Sequence, residues 1–160
     1  MNHILYFFIT HKKNLEKVYQ EKKKYFYFSI VVCGGNETNY YAEKNILFID
    51  CNDLYEGLPE KIIKTLKFLV ESEYFKNFTH FVKLDENIEI KNLLPYYQIK
   101  NLNYAGNVQN IEGNRKWHFN KCSSNSKFYN KEYTGIYVPW CKGGYGYIIS
   151  RATINLIKDS

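Results

Sequence analysis

The chain has few cysteines, and none of the spacings that build a zinc site. Its four cysteines, Cys33, Cys51, Cys122 and Cys141, form no C-x-x-C pair and have no histidine at metal-ligand spacing. No signal peptide precedes them, so we expect free thiols and a cytoplasmic setting. On this interpretation the secretory pathway is reached only if a missing segment or a partner directs the chain there.

The sequence also lacks a long apolar run. Its apolar start, Ile4–Ile9, is too short to cross a bilayer and has no cleavage-site pattern after it. We therefore predict a first β-strand here and no membrane segment in this chain. No internal repeat is visible, and the glycines match neither a Walker loop nor a dinucleotide fingerprint.

Aromatic and apolar residues are abundant, which excludes disorder. Hydrophobic residues make up 45% of the 160 residues, with 16 Tyr and 11 Phe, and this favours one domain with a sheet-rich interior. The net charge of +6 suits an anionic ligand such as a nucleotide or a nucleic acid. The lysines are spread along the chain, however, and the dense run Lys22–Lys24 is interpreted as the solvated end of a helix. No recognition-module motif is present, so nucleic acid is not a predicted partner.

Strand-like and helix-like segments alternate along the first half of the chain. The pattern predicts strands at Ile4–Ile9, Tyr25–Cys33, Ile46–Ile49 and Phe81–Leu84, and helices at Asn14–Lys24 and Leu58–Val70. Pro59 suits the first turn of the second helix. Its predicted apolar stripe consists of Leu58, Ile62, Ile63, Leu66, Leu69 and Val70. The sequence thus predicts an α/β fold with a mostly parallel, Rossmann-type sheet flanked by helices.

Polar residues follow several of the predicted strands. Because ligands bind at the carboxyl ends of strands in open α/β sheets, we expect Thr10, His11, Asp50 and Asp85 to share a crevice. For His11, an ordinary surface histidine is the alternative interpretation.

The segment after the predicted strand Phe81–Leu84 is Asp85-Glu86-Asn87. Carboxylate and carbonyl oxygens suit Mn²⁺ or Mg²⁺, and such ions bridge protein carboxylates to phosphates. The segment therefore predicts a metal site. A solvated turn is the alternative, because Asp and Asn also favour turns.

A second glycine-rich segment lies near the end of the chain. Gly143, Gly144 and Gly146 allow close backbone approach to a ligand, and Trp140 and Tyr145 offer flat faces for a sugar or a base. A turn leading into a buried strand is the alternative. The polar stretch 110–131 is predicted to be a long mobile loop, of the kind that serves as a lid.

In order, these segments resemble the β-1,3-galactosyltransferase and Fringe-like family of nucleotide-sugar glycosyltransferases. The segment Asp53–Lys61 is similar to the family's D-x-Y-x-N-L-T-x-K, and Phe81–Asn87 to its F-x-K-x-D-D-D. Tyr104-Ala105-Gly106, Arg115 and Trp117 fall where the family has Y-x-G and R-x-K-W, and Val138–Ser150 is similar to Y-P-x-Y-x-x-G-x-G-Y-x-x-S. The resemblance covers about Ile46 to Ser150.

The resemblance implies a GT-A-like fold and an inverting hexosyltransferase. It would transfer a sugar from a UDP-sugar to a hydroxyl of a glycan or glycoprotein, with Mn²⁺ or Mg²⁺ held by Asp85, Glu86 and Asn87. The implied nucleotide-sugar contacts are Thr10, His11, Asp50, Lys61, Lys83 and Asp85, where the two lysines are either structural or face the diphosphate. The implied sugar or acceptor pocket is formed by Trp140, Gly143, Gly144 and Tyr145. Residues 1–90 would be the nucleotide-binding half and residues 91–160 the acceptor half of one domain.

The sequence departs from the family pattern at three points. The third Asp of the metal motif is Asn87, and His11-Lys12-Lys13 replaces the donor-binding R-x-x-I-R-x-T-W. The family's E-D-V motif, which supplies the catalytic base, would fall shortly after Ser160, so the catalytic residue is unknown. The chain is then either a C-terminally truncated piece of an enzyme or a catalytically inactive module that binds a sugar nucleotide or glycan.

Overall fold

The computed structural model describes residues 3–109 and 115–159. The chain folds into an α/β domain with a mixed, seven-stranded sheet flanked by helices. Its strands are β1 (Ile4–Ile9), β2 (Ser29–Gly35), β3 (Asn39–Tyr41), β4 (Ile46–Asp50), β5 (His80–Asp85), β6 (Tyr104–Gly106), β7 (Val108–Gln109), β8 (Trp140–Cys141) and β9 (Tyr147–Ser150). Its helices are α1 (Leu15–Lys22), α2 (Leu58–Glu71), α3 (Tyr96–Ile99) and α4 (Arg151–Ile157).

The predicted fold class is confirmed, and the sheet is parallel at its centre. The strand order is β3-β4-β2-β1-β5-β9-β6, while β7 and β8 form a separate small ribbon. Strands β4, β2, β1 and β5 run parallel. Helix α1 lies in the connection from β1 to β2, β3 in that from β2 to β4, and α2 in that from β4 to β5. The outer strands β3, β9 and β6 are antiparallel to their neighbours, so the sheet is mixed.

The parallel strands end together at one edge of the sheet. In the register of the sheet, Ile9 at the end of β1 pairs with Asp85 at the end of β5, and Gly35 of β2 pairs with Asp50 of β4. The loops that follow these strands therefore converge, as the alternation of strands and helices predicts.

Two apolar layers cover the faces of the sheet. Strand β1 is buried throughout, and its side chains alternate between the layers because successive residues in a strand point to opposite faces. Leu5, Phe7 and Ile9 pack in the layer that includes α2 and α4. Ile4, Tyr6 and Phe8 pack in the opposite layer, against Tyr25 and Ile99 among others.

The segment predicted as the strand Tyr25–Cys33 is only partly a strand. Residues 23–25 form a 3-10 turn, and β2 begins at Ser29 and continues through both glycines to Gly35. The prediction was wrong for residues 25–28, which form a turn: the rings of Tyr25 and Phe28 pack against the core, whereas Tyr27 is 99% exposed. Tyr25 stacks on Phe8, and Ser29 Oγ donates a hydrogen bond to the Tyr25 carbonyl.

Lys22 corrects the interpretation of the basic run as a solvated helix end. Its side chain is buried, lies over the ring of Phe8, and donates a 2.8 Å hydrogen bond to the carbonyl of Ile88. Burial lowers the pKa of Lys22. The lysine thereby fastens the end of α1 to the segment that follows β5, whereas Lys23 and Lys24 are exposed as predicted.

The inward face of α2 also differs from the predicted stripe. Ile63 is 59% exposed, while Lys61 and Thr65 are buried together with Leu66 and Leu69. Helix α2 presents Lys61 inward because its ammonium pairs with Asp53 and donates a hydrogen bond to the carbonyl of Thr10. Thr65 Oγ1 donates a 2.7 Å hydrogen bond to the Lys61 carbonyl, which satisfies its hydroxyl within the core.

Several simpler expectations can be compared with the structure directly. All four cysteines are free thiols. No helix in the described ranges has the length and apolar character needed to span a bilayer. Residues 110–114 of the predicted mobile loop lie outside the described residues. The division into two halves stays a prediction.

Candidate functional site

A cavity of about 780 Å³ lies where the parallel strands end. We call it the strand-edge cavity. The loop after β1, the segment before α2, the helix itself and the turn after β5 contribute its walls. Its lining residues are Ile9, Thr10, His11, Lys12, Lys13, Asp53, Leu54, Tyr55, Leu58, Lys61, Asp85, Glu86 and Asn87.

Asp53 and Lys61 form the polar floor of the strand-edge cavity. The buried Lys61 ammonium forms an ion pair with Asp53 and donates a 3.0 Å hydrogen bond to the carbonyl of Thr10. Asp53 also accepts hydrogen bonds from the backbone N–H of Lys12 at 2.7 Å and of Gly34 at 2.9 Å. This pair therefore joins the ends of β1 and β2 to α2.

The environment of Asp53 keeps its carboxylate ionised. Burial alone would raise the pKa of Asp53, but the hydrogen bond and charge of Lys61, with the two backbone N–H groups, outweigh it. The pKa of Asp53 consequently lies below its usual value. Its hydrogen bonds hold the loop after β1 in place.

Glu86 faces the loop after β1. One of its carboxylate oxygens accepts a hydrogen bond from the Thr10 hydroxyl, and the other accepts a 2.6 Å hydrogen bond from the Asn14 side-chain amide. The same amide contacts the His11 ring nitrogen Nε2 at 3.3 Å. Both oxygens of Glu86 thus serve to join the turn after β5 to the start of α1.

Asp85 lies between the strand-edge cavity and the glycine bend, Gly143–Gly146. Lys83 is buried, with a side-chain exposure of 1%, and forms an ion pair with Asp85 Oδ1. Its ammonium also donates a 3.1 Å hydrogen bond to the carbonyl of Gly143. A Cβ atom at Gly144 would lie 3.7 Å from Asp85 Oδ2, so the acidic strand end and the glycine bend are neighbours.

Two of the three predicted metal ligands have protein partners. Both oxygens of Glu86 are engaged by Thr10 and Asn14, and Asp85 shares one oxygen with Lys83. Asn87 is exposed and carries no charge. Within residues 3–109 and 115–159 no group of three or more His, Cys, Asp or Glu side chains could hold a metal ion. These side chains therefore offer a divalent cation one open carboxylate oxygen, Asp85 Oδ2, and Mn²⁺ or Mg²⁺ dependence stays a prediction.

The cavity brings together most of the predicted nucleotide-sugar contacts. Thr10, His11, Lys61 and Asp85 all line it, whereas Lys83 lies beneath Asp85. Asp50 does not line it. Its backbone N–H donates a 3.1 Å hydrogen bond to Thr38 Oγ1, and its carbonyl accepts a hydrogen bond from Lys64.

The predicted sugar pocket is divided in the structure. Gly143 and Gly144 adjoin Lys83 and Asp85, as described above. Tyr145 is 69% exposed and lines a different depression, the second groove. The second groove has a volume of about 600 Å³ and is lined mainly by residues 88–94, 99–106 and 145–148 with parts of β1 and β5.

Trp140 belongs to an aromatic cluster away from the strand-edge cavity. Its ring lies 5.2 Å from that of Trp117 and 5.5 Å from that of Tyr137, measured between centroids. Trp117 in turn lies 5.3 Å from Tyr133. The cluster binds the ribbon β7–β8 to the segment 115–137, so Trp140 packs chiefly against protein.

Part of the predicted loop contacts the wall of the strand-edge cavity. Ser123 donates hydrogen bonds from its hydroxyl and its backbone N–H to the carboxylate of Glu56. The Lys121 ammonium lies 5.6 Å from the ring centroid of Tyr55, which lines the cavity. The segment 121–123 therefore lies beside the cavity, and its role as a mobile lid stays a prediction.

Sequence reasoning assigned no role to four residues of this site. Asp53, Lys12, Lys13 and Tyr55 line the cavity but were not among the predicted contacts. A signal for Asp53 and Tyr55 existed, because they are the Asp and Tyr of the D-x-Y stretch in the resemblance. For the two lysines the signal was their place directly after the first strand, where the family has its donor-binding stretch.

Comparison with known proteins agrees with the fold and the motif order. The sequence model described as galactosyltransferase matches residues 35–160, most of the chain. It covers the Asp53–Lys61 segment, the strand that ends at Asp85 and the glycine bend. The chain has no significant match among curated proteins or solved structures. The chain belongs to the galactosyltransferase family.

Proposed function

We propose that this chain is a glycosyltransferase domain that binds a UDP-sugar in the strand-edge cavity and transfers the sugar to a hydroxyl of a glycan or glycoprotein. Family membership indicates a glycosyltransferase, and the donor, the acceptor and the inverting mechanism are our proposal. The observation that supports it most is the direct contact between the cavity end near Asp85 and the glycine bend.

The lining of the cavity suits the parts of a nucleotide sugar. Leu54, Tyr55 and Leu58 form an apolar wall on which a uracil ring can rest. Asp85 Oδ2 accepts no hydrogen bond from the described residues, so it can accept one from a ribose or sugar hydroxyl. The ammonium of Lys83 positions Asp85 for this contact.

The proposed transfer follows the usual course of an inverting displacement. The acceptor oxygen bonds to the anomeric carbon while the bond from that carbon to the β-phosphate oxygen breaks. The electron pair of the broken bond leaves with UDP, and the hydroxyl proton passes to a general base. We assign no residue to that role.

Calorimetric titration with UDP and UDP-sugars tests this proposal. We expect binding to the wild-type chain, and about tenfold weaker binding to Asp85→Asn, since the neutral amide is a weaker acceptor for a hydroxyl. Glu43→Gln removes one negative charge from an exposed turn outside the cavity and is the matched control. Absence of UDP binding with and without Mn²⁺ would overturn the proposal.

A second candidate function is a sugar-nucleotide or glycan-binding module without turnover. Asn87 at the third position of the metal motif and the engaged carboxylate of Glu86 favour it. This module would bind UDP-sugars and release no UDP from them. Transfer or hydrolysis above background, abolished in Asp85→Ala, would exclude it.

A further inference from the structure

We propose that Lys12 and Lys13 bind the diphosphate of the nucleotide sugar, so that donor binding depends little on a divalent cation. The inference rests on the proposed function, because it concerns the same cavity. It assigns a role to two lysines that replace the family's donor-binding stretch and lie outside residues 35–160, which the family model matches.

The first support is that the carboxylates in and near the strand-edge cavity already have partners. Asp53 is paired with Lys61, and Asp85 with Lys83. Glu86 accepts hydrogen bonds from two neutral groups, Thr10 and Asn14. A metal ion would find one open oxygen, Asp85 Oδ2, and could gain a second carboxylate only by displacing both donors from Glu86, which would leave Thr10 and Asn14 unsatisfied.

The second support is the charge of the cavity lining. Lys12 and Lys13 line the cavity with exposed side chains, and neither takes part in an ion pair within the described ranges. With Asp53 and Asp85 neutralised by their lysines, two free positive charges remain against the single charge of Glu86. The potential at the mouth of the cavity therefore favours a dianionic diphosphate without a metal.

The third support is the way the two lysines are held. The backbone N–H of Lys12 donates to Asp53, and the loop is further fixed by the hydrogen bond from Lys61 to the Thr10 carbonyl. The loop that carries both lysines is thus anchored to α2 through its backbone, which leaves the two side chains available to a ligand. Replacement of the side chains leaves these anchoring bonds intact.

Calorimetric titration of the full chain with UDP, in EDTA and in excess Mn²⁺, tests the inference. We expect the two dissociation constants to agree within about twofold, because lysines rather than the ion supply the positive charge. The double variant Lys12→Gln, Lys13→Gln is expected to bind UDP at least about tenfold more weakly in EDTA. It should also show a weaker dependence of affinity on salt concentration.

The double variant Lys17→Gln, Lys23→Gln is the matched control. Both lysines are exposed, lie on or next to α1, and do not line the cavity, so the net charge falls equally. We expect UDP binding close to that of the wild type. Thermal unfolding of all variants shows whether each is folded.

Each outcome separates this inference from the proposed function. UDP binding that appears only with Mn²⁺, or is unaffected by loss of Lys12 and Lys13, would overturn the inference and leave the proposed function standing. Absence of UDP binding under both conditions would overturn the proposed function itself. An equal loss of UDP affinity in the control variant would mean that net charge alone explains the effect. That result would contradict a specific diphosphate site.

Discussion

At the scale of single residues, the candidate site depends on a few buried or half-buried charges that also hold backbone groups. Asp53, Lys61 and Lys83 lie at points where a strand end, a loop and a helix meet. Paired charges at such places contribute little net stability, but removal of one partner leaves the other buried and uncompensated. Substitutions here should therefore affect both stability and the shape of the cavity.

Asp53→Asn is expected to destabilise the fold and to change its response to acid. Loss of the carboxylate leaves the buried Lys61 without its counter-charge, at a cost of about 3 kcal/mol at neutral pH. The pKa of Asp53 is lower in the folded than in the unfolded chain. Its stabilisation is therefore complete above the unfolded value of about 3.9 and disappears as the pH falls through the lower folded value.

Urea denaturation at a series of pH values measures this effect. The free energy of unfolding of the wild type should fall below about pH 4, and that of Asp53→Asn should fall less steeply. Asp159→Asn, in an exposed ion pair with Lys67, is the control and should keep the wild-type profile. Parallel profiles for the wild type and Asp53→Asn would contradict the account.

Gly146→Ala is expected to disturb the glycine bend. Gly146 has φ of +85°, and a Cβ atom there would lie 2.8 Å from the Lys83 carbonyl oxygen and 2.8 Å from Leu84 Cδ2. The strained backbone and the contact together should cost about 1–3 kcal/mol. Gly144→Ala, whose Cβ would meet only an ordinary contact, is the control, and chemical denaturation of both variants compares them. Equal stability of the two would refute this assignment.

Individual side chains were the part of the fold that local patterns predicted least well. Lys22 was expected at the surface, and Lys61 was expected either to be structural or to face the diphosphate, and both are buried. Their burial depends on carbonyl and carboxylate partners from distant parts of the chain, Ile88 and Thr10 with Asp53. Such partners come together only in the tertiary structure, so helical periodicity cannot reveal them.

At the scale of elements, one arginine connects three segments behind the site. The Arg151 guanidinium, at the start of α4, donates hydrogen bonds to the carbonyls of Leu69 and Val70 in the last turn of α2 and of Phe75 and Phe78 beyond it. The last carbonyls of a helix have no partner within it, so Arg151 satisfies groups that burial would otherwise leave unpaired. Burial also lowers the pKa of Arg151.

Replacement of Arg151 should weaken the packing of α2 against α4. Arg151→Ala is expected to cost about 3 kcal/mol, because buried carbonyls lose their donor. Arg151→Lys should recover only part of this, since one ammonium cannot reproduce the planar fork that reaches four oxygens. The control for thermal unfolding is Lys67→Ala on α2. It removes an exposed ion pair with Asp159 and should leave the melting temperature unchanged. Full recovery by lysine would contradict the geometric argument.

The central elements were predictable, and the outer strands were not. Apolar runs predicted strands β1, β4 and β5, and a 3.6-residue period predicted helix α2. All four predictions lie close to the observed bounds. Strands β3 and β6 are three residues each, and only the partner strand determines their pairing. For β9, a turn leading into a buried strand was one of the two interpretations of the glycine bend, but its antiparallel direction was not predicted.

At the scale of the whole molecule, the order of motifs along the chain predicted what the sheet brings together. The ends of β1 and β5 meet in the strand-edge cavity, and the glycine bend adjoins them although it follows in sequence by about sixty residues. The positions of Asp50 and Trp140 could not be predicted in the same way. Loop geometry decides which residues near a strand end face the cavity, and it turns Asp50 away and places Trp140 in the aromatic cluster.

The most direct measurement is a map of backbone amide shifts by heteronuclear NMR as UDP is added to the full chain. The account predicts that the shifts concentrate in residues 9–13, 53–58 and 85–87, which surround the strand-edge cavity. Shifts confined to residues 88–92 and 145–148 would place the nucleotide in the second groove and contradict the account.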